Sequence, residues 1–189
     1  MSNEQAQAIV KTIREQRERF EEFCRSLSEE ELSRSVPDST WLVKDFVSHL
    51  ATLDPVLVRS FEAAAAGERE EQYDLDALND AEVAERRGWP LERILEEAAG
   101  NREQLVETLG AMTDEQLART MHFQGDAKRS PADLPLRVFL MGWAYHDAIH
   151  AADMLKALPE RAEDGELQTW TGVPIVGMYQ RAMSGPPRP

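Results

Sequence analysis

One cysteine in 189 residues, Cys24, leaves no second thiol for an intramolecular disulfide. It falls beside Phe20 and Phe23 on an apolar stripe and reads as a small buried hydrophobe, not a reactive thiol. Basic charge is also short: 21 Lys+Arg against 35 Asp+Glu leave a formal charge of −14. That surface repels nucleic acid and anionic membrane, so neither is an expected partner. No run approaches the ~20 apolar residues of a membrane helix, and Met1 to Gln5 has neither the basic region nor the apolar core of a signal peptide. A cytoplasmic protein is expected. Strand signals are missing as well, because Val and Ile recur at helical spacing and never alternate. No internal repeat is visible.

What is present is helical periodicity. An apolar fraction of 42% and a charged fraction of 30% are those of a globular protein. The length predicts a single domain over 1–189, frayed at about 184–189. Ser2 with Gln5 reads as a capping box for a first helix whose stripe is Ile9, Ile13, Phe20, Phe23 and Leu27, with Arg and Glu on the other face. Ser28 to Thr40 reads as a connection. A second helix, capped by Ser39 or Thr40, is predicted from Trp41 to Ala66, with a kink at Asp54-Pro55. A short helix follows over about 76–87, then a long one after Gly88-Trp89-Pro90. Thr113 with Gln116 opens a further short helix. His122 to Pro131 reads as a loop, and Pro135 to Leu158 as one long helix. The tail from Glu166 to Met183 is predicted as a helix broken around Gly172-Val173-Pro174. Long helices with wide apolar stripes predict an all-α helical bundle.

Two of the four histidines, His146 and His150, stand four residues apart on the seam of the last long helix. That spacing puts both rings on one face. His49 lies on the apolar stripe of the second helix. A lone histidine on such a stripe is usually a packed core residue with one hydrogen bond. Three converging imidazoles are different, because each unsatisfied ring nitrogen costs roughly 1–3 kcal/mol. A divalent ion bound by His49, His146 and His150 removes that cost and leaves coordination positions open, as catalytic sites require. Imidazole suits zinc, nickel, copper and ferrous iron alike. Asp45, one turn before His49, and Asp153, three residues after His150, are candidate acceptors for ring N–H groups. Asp147, placed as Glu is in a His-Glu-x-x-His motif, is a candidate base. His122 could cap the site but is expected to do nothing. Trp143 is expected in the core, and Tyr145 could serve core or pocket.

The stretch Trp41 to Leu50, with Asp45 and His49, followed by His146 and His150, resembles the DinB/YfiT-like superfamily of metal-binding four-helix bundles. Asn79 to Val83 and onward to Leu117 resembles that superfamily's middle region. The resemblance implies an up-down-down-up bundle with a long crossover, His49, His146 and His150 as ligands of one divalent ion, and a homodimer. His150, Asp153 and Met154 are similar to a segment of the mycothiol-dependent maleylpyruvate isomerase branch. That branch carries a glutamate where this chain has His146, so the broader superfamily is implied.

The leading expectation is a thiol-dependent S-transferase or isomerase. A metal (zinc, nickel or iron) would bind a low-molecular-weight thiol such as mycothiol or bacillithiol, which would attack a small electrophile. The alternatives are a metal-dependent small-molecule hydrolase and a non-enzymatic, metal-stabilised stress or binding protein.

Overall fold

The computed structural model describes residues 3–69, 73–123, 125 and 130–183. The expected cap at Ser2 and the frayed 184–189 lie outside them. Four long segments make a bundle: α1 (Glu4–Arg25), α3 (Val43–Ala66), α5 (Leu91–Ala111) and the pair α7 (Leu136–Trp143) and α8 (His146–Leu155). Shorter helices decorate it: α2 (Glu29–Leu32), α4 (Leu75–Arg86), α6 (Asp114–Leu117), α9 (Gly165–Thr171) and α10 (Pro174–Met183). No described helix is long and apolar enough to cross a membrane.

Named contacts fix the helix directions. The Trp41 indole donates to Asp80 and Lys44 reaches the Trp89 carbonyl, so α4 returns the chain along α3. Therefore α5 starts level with the start of α3 and runs parallel to it; Asn101 donating to the Ala51 carbonyl and Arg102 to Asp54 hold that register. Asn3 donates to the Gly110 carbonyl at one end of α1, and Arg25 lies 3.7 Å from Glu92 at the other, so α1 is antiparallel to α5. Arg161, beyond α8, pairs with Glu31 beyond α1, so those two helices run together. The order is up, down, down, up, with α4 in the crossover.

Several predicted boundaries move. The expected connection 28–40 contains α2, capped by Ser28, whose Oγ accepts from the Glu31 N–H while the Glu31 carboxylate accepts from the Ser28 N–H. Neither Ser39 nor Thr40 caps α3; Ser39 Oγ instead accepts from the Trp41 N–H in the preceding turn. Helix α3 begins at Val43 and continues through Pro55 to Gly67, whose φ of 80° ends it in the left-handed conformation that glycine adopts without strain. Part of the expected loop 122–131 is strand: His122 and Phe123 belong to β1 (Thr120–Phe123), which pairs antiparallel with β2 (Ala132–Pro135), His122 opposite Asp133, while 124 and 126–129 lie outside the described residues. Four-residue strands are too short to show an alternation. The long helix expected over 135–158 is two: the Tyr145 N–H bonds the Gly142 carbonyl, three residues back, where α7 gives way to α8. The tail breaks at Gly172-Val173, as predicted.

The core consists of two apolar clusters. One is built on Phe20, Phe46, Leu50, Ile94 and Met154, the other on Ile13, Phe61, Leu105, Leu136 and Leu140. Between them lies a polar layer with one residue from each bundle helix. Arg17 of α1 binds both Asp147 oxygens at 3.1 Å, and Arg102 of α5 reaches Asp147 at 3.2 Å and Asp54 of α3 at 2.6 Å. Arg17 was expected on the charged face. It is buried because its charge is matched inside the bundle. Burial pushes the Asp54 carboxyl above its ordinary range, with Arg102 and Arg17 opposing. Cys24 is fully buried, and burial pushes its thiol up, which makes it unreactive.

The Arg161 guanidinium, donating to both Glu31 oxygens, holds that carboxyl down at about 2 although partial burial opposes it. A depressed carboxylate stabilises the fold fully above its ordinary value of 4.5, and the contribution is lost as pH falls from there toward 2. Glu31→Gln is therefore expected to cost about 2 kcal/mol at neutral pH and to flatten that part of the acid limb. Urea titrations of both proteins at pH 7, 4 and 2.5 check this. Parallel pH curves would refute it.

Candidate metal centre

His49 comes from the second turn of α3, His146 and His150 from successive turns of α8. All three are buried, and one ring nitrogen from each lies within 4.8 Å of the other two. They are the three residues expected as ligands, and among the described residues no carboxylate joins the group. The Nε2 atoms of His146 and His150 face each other at 3.1 Å. Two nitrogens held about 2.1 Å from one ion lie about 3–3.4 Å apart, so the pair already has chelating separation. The donor set fits a divalent ion.

Each ring is backed by an aromatic side chain. Trp41 lies 5.1 Å from His49, Phe46 lies 5.4 Å from His150, and Trp143 stacks on His146 at 3.8 Å and 25°. Trp143, expected in the core, is only half-buried and also stacks on Phe139, which packs against the second cluster. Tyr145 is half-buried against that same cluster. Sequence reasoning missed Tyr179 on α10, whose ring sits 6.4 and 6.5 Å from His146 and His150, near perpendicular to both. It stands 29 residues beyond His150, in another helix, so no periodicity ties it to the site.

The candidate supporting acids divide. Asp153 Oδ2 is 3.3 Å from His150 Nδ1. A carboxylate only accepts, so Nδ1 carries the proton and Nε2 offers its lone pair inward. Burial pushes the Asp153 carboxyl up, but the His150 contact and Lys156 outweigh it and hold it below its ordinary range. Asp45 does something else: its Oδ2 accepts from the Leu42 N–H and from Arg87, closing the first turn of α3. Asp147, the candidate base, accepts from Arg17 and Arg102. One residue past His146, it points about 100° round the helix into the layer of Arg17 and Arg102. His122 pairs with Asp133 across the hairpin, 2.6 Å between Nδ1 and Oδ1, and is not among the clustered histidines.

The family described as "Mycothiol maleylpyruvate isomerase N-terminal domain" matches residues 13–148. The chain belongs to that family. Solved structures of the mycothiol-dependent maleylpyruvate isomerase and of a histidine-to-alanine mutant of it are each 13% identical, with a TM-score of 0.63. The match covers 79% of this chain and 60% of theirs, so this family member spans about three-fifths of the isomerase's length. A structure from Bacillus subtilis, YfiT, described as "a probable metal-dependent hydrolase with an unusual four-helix bundle topology", is 18% identical with a TM-score of 0.65. It covers 91% of this chain and 90% of its own. At such identities the likeness is one of fold. No curated protein matches the sequence significantly. The family span includes His49 and His146; His150 and Tyr179 lie beyond it.

Proposed function

We propose that this protein is a divalent-metal enzyme that activates a low-molecular-weight thiol, of the mycothiol or bacillithiol type, for S-transfer to or isomerisation of a small electrophile. His49, His146 and His150 would hold one zinc, nickel or ferrous ion. The observation that carries this reading is the convergence of three buried imidazoles with no carboxylate among them. Three neutral donors leave a site that favours an anionic ligand such as a thiolate. When bound, the ion supplies a Lewis acid that lowers the pKa of a thiol or water beside it.

The chain's own residues supply the rest. Asp153 fixes the His150 tautomer and ring orientation. Trp41, Phe46 and Trp143 back the three rings, restrict their rotation and keep water from their outer faces. The commitment of Asp147 to Arg17 and Arg102 favours a thiolate over water as nucleophile, because water attack benefits from a nearby general base and this carboxylate is turned away. A homodimer, as the resemblance implies, is part of the proposal.

A metal-dependent hydrolase is the second reading. It is supported by the YfiT likeness, which extends over nine-tenths of both chains where the isomerase likeness does not. Zinc-loaded protein is expected to bind one thiol per chain by calorimetry, and to consume a chlorodinitrobenzene-type electrophile only when thiol and metal are both present. Absence of thiol binding, together with thiol-independent ester hydrolysis lost on chelation, would replace the first reading by the second.

A further inference from the structure

All four tryptophans pack close to the core; Trp89 lies against the Arg86 and Arg93 guanidinium groups, and two of the other three have an acceptor for the indole N–H. Trp41 Nε1 donates to Asp80 at 3.0 Å, and Trp170 Nε1 donates to Gln16 at 2.6 Å. The third is Trp143. Its Nε1 is shielded from solvent and has no hydrogen-bond partner among the described residues. An indole nitrogen only donates, and a buried donor without an acceptor is destabilising. This costly position occurs on the ring that stacks directly on His146, 3.8 Å between centroids. Stacking at that distance sets the indole ring against one member of the triad.

We propose that Trp143 is a ligand-positioning donor: its indole N–H is left open for an oxygen atom, carbonyl or carboxylate, of the molecule seated at the open side of the His49–His146–His150 site. The inference rests on the metal reading and adds to it the chemical class of the substrate. Sulfur is a weak acceptor, so the indole contributes little to holding a thiol and discriminates in favour of an oxygen-bearing electrophile. The backing rings, Trp41, Phe46 and Trp143, are apolar over most of their surface, which makes one directed N–H more selective than it would be in a wet cleft.

The test uses ¹⁵N-labelled, zinc-loaded protein with acetohydroxamate as the oxygen probe, 2-mercaptoethanol as the sulfur probe, and Trp143→Phe, which keeps an aromatic stack and removes the donor. The variant assigns the Trp143 indole cross-peak by its disappearance. That peak is expected to move downfield as hydroxamate binds, with the midpoint that calorimetry gives. Trp143→Phe is expected to bind hydroxamate about ten-fold more weakly, to bind 2-mercaptoethanol equally well, and to retain its zinc. A stationary peak at saturating hydroxamate overturns the inference, as does equal hydroxamate affinity in the two proteins or no hydroxamate binding at all. Failure of the metal reading is read separately, as absence of zinc by elemental analysis before any probe is added.

Discussion

Asp147→Ala is expected to cost about 3–5 kcal/mol of folding stability, the loss seen when one partner of a buried ion pair is removed. The wild-type carboxylate accepts three hydrogen bonds from two guanidinium groups, and neither arginine reaches solvent. Without it, Arg17 keeps only the Leu50 carbonyl at 3.3 Å, and Arg102 keeps only Asp54. Two cations would then share one carboxylate whose ionisation is already opposed by burial. Total stabilities of about 5–15 kcal/mol leave little margin for that, so the variant is expected near its folding threshold. Asp147→Asn keeps the shape and one acceptor oxygen but not the charge, and belongs between the two. Urea denaturation with unchanged m-value measures the difference. A loss under about 1 kcal/mol would mean that Arg17 and Arg102 find water, and the polar layer would not be the buried unit described.

His150→Ala is expected to abolish stoichiometric metal binding, since one of three ligands and the Asp153 contact disappear together. Loaded wild-type protein should carry one divalent ion per chain by elemental analysis, and the variant a small fraction of that. Binding to the folded state alone also stabilises it by mass action: free metal at about a thousand times Kd adds roughly 4 kcal/mol. For a chain of this size that raises Tm by about 8–16 °C. Chelation should reverse the rise in the wild type and leave His150→Ala unmoved. Equal metal content in the two proteins would refute the three-histidine site. Because His150 sits at the edge of the first apolar cluster, the metal-free Tm of the variant has to be measured alongside, to separate a lost ligand from a cavity.

The amphipathic stripes, the capping box at Thr113 and Gln116, the break before Pro174 and the i, i+4 pair His146 and His150 were legible in the sequence because each is a local property. A helix of 3.6 residues per turn turns spacing into direction, so the inward face of α8 could be read before any contact was known. His49 was legible for the same reason, on the inward face of α3. The short α2 and the two four-residue strands were not, because they carry too few positions to show a period.

Tertiary structure alone decided the partners of the charged residues. Arg17 and Asp147 look like ordinary surface charge in one dimension. Only the crossing of four helices at one level brings them, Arg102 and Asp54 together between two apolar clusters, where charge is tolerable because it is matched. The same crossing took Asp147 away from the metal face, gave Asp45 to the start of α3, and left Asp153 on His150. It also brought Tyr179 toward the histidines from another helix and left the Trp143 indole, stacked on His146, without an acceptor among the described residues. Spacing specified which imidazoles could share an ion, because both rings of a pair hang on one helix. What surrounds that ion is set by residues far apart in the chain, and no local period encodes them.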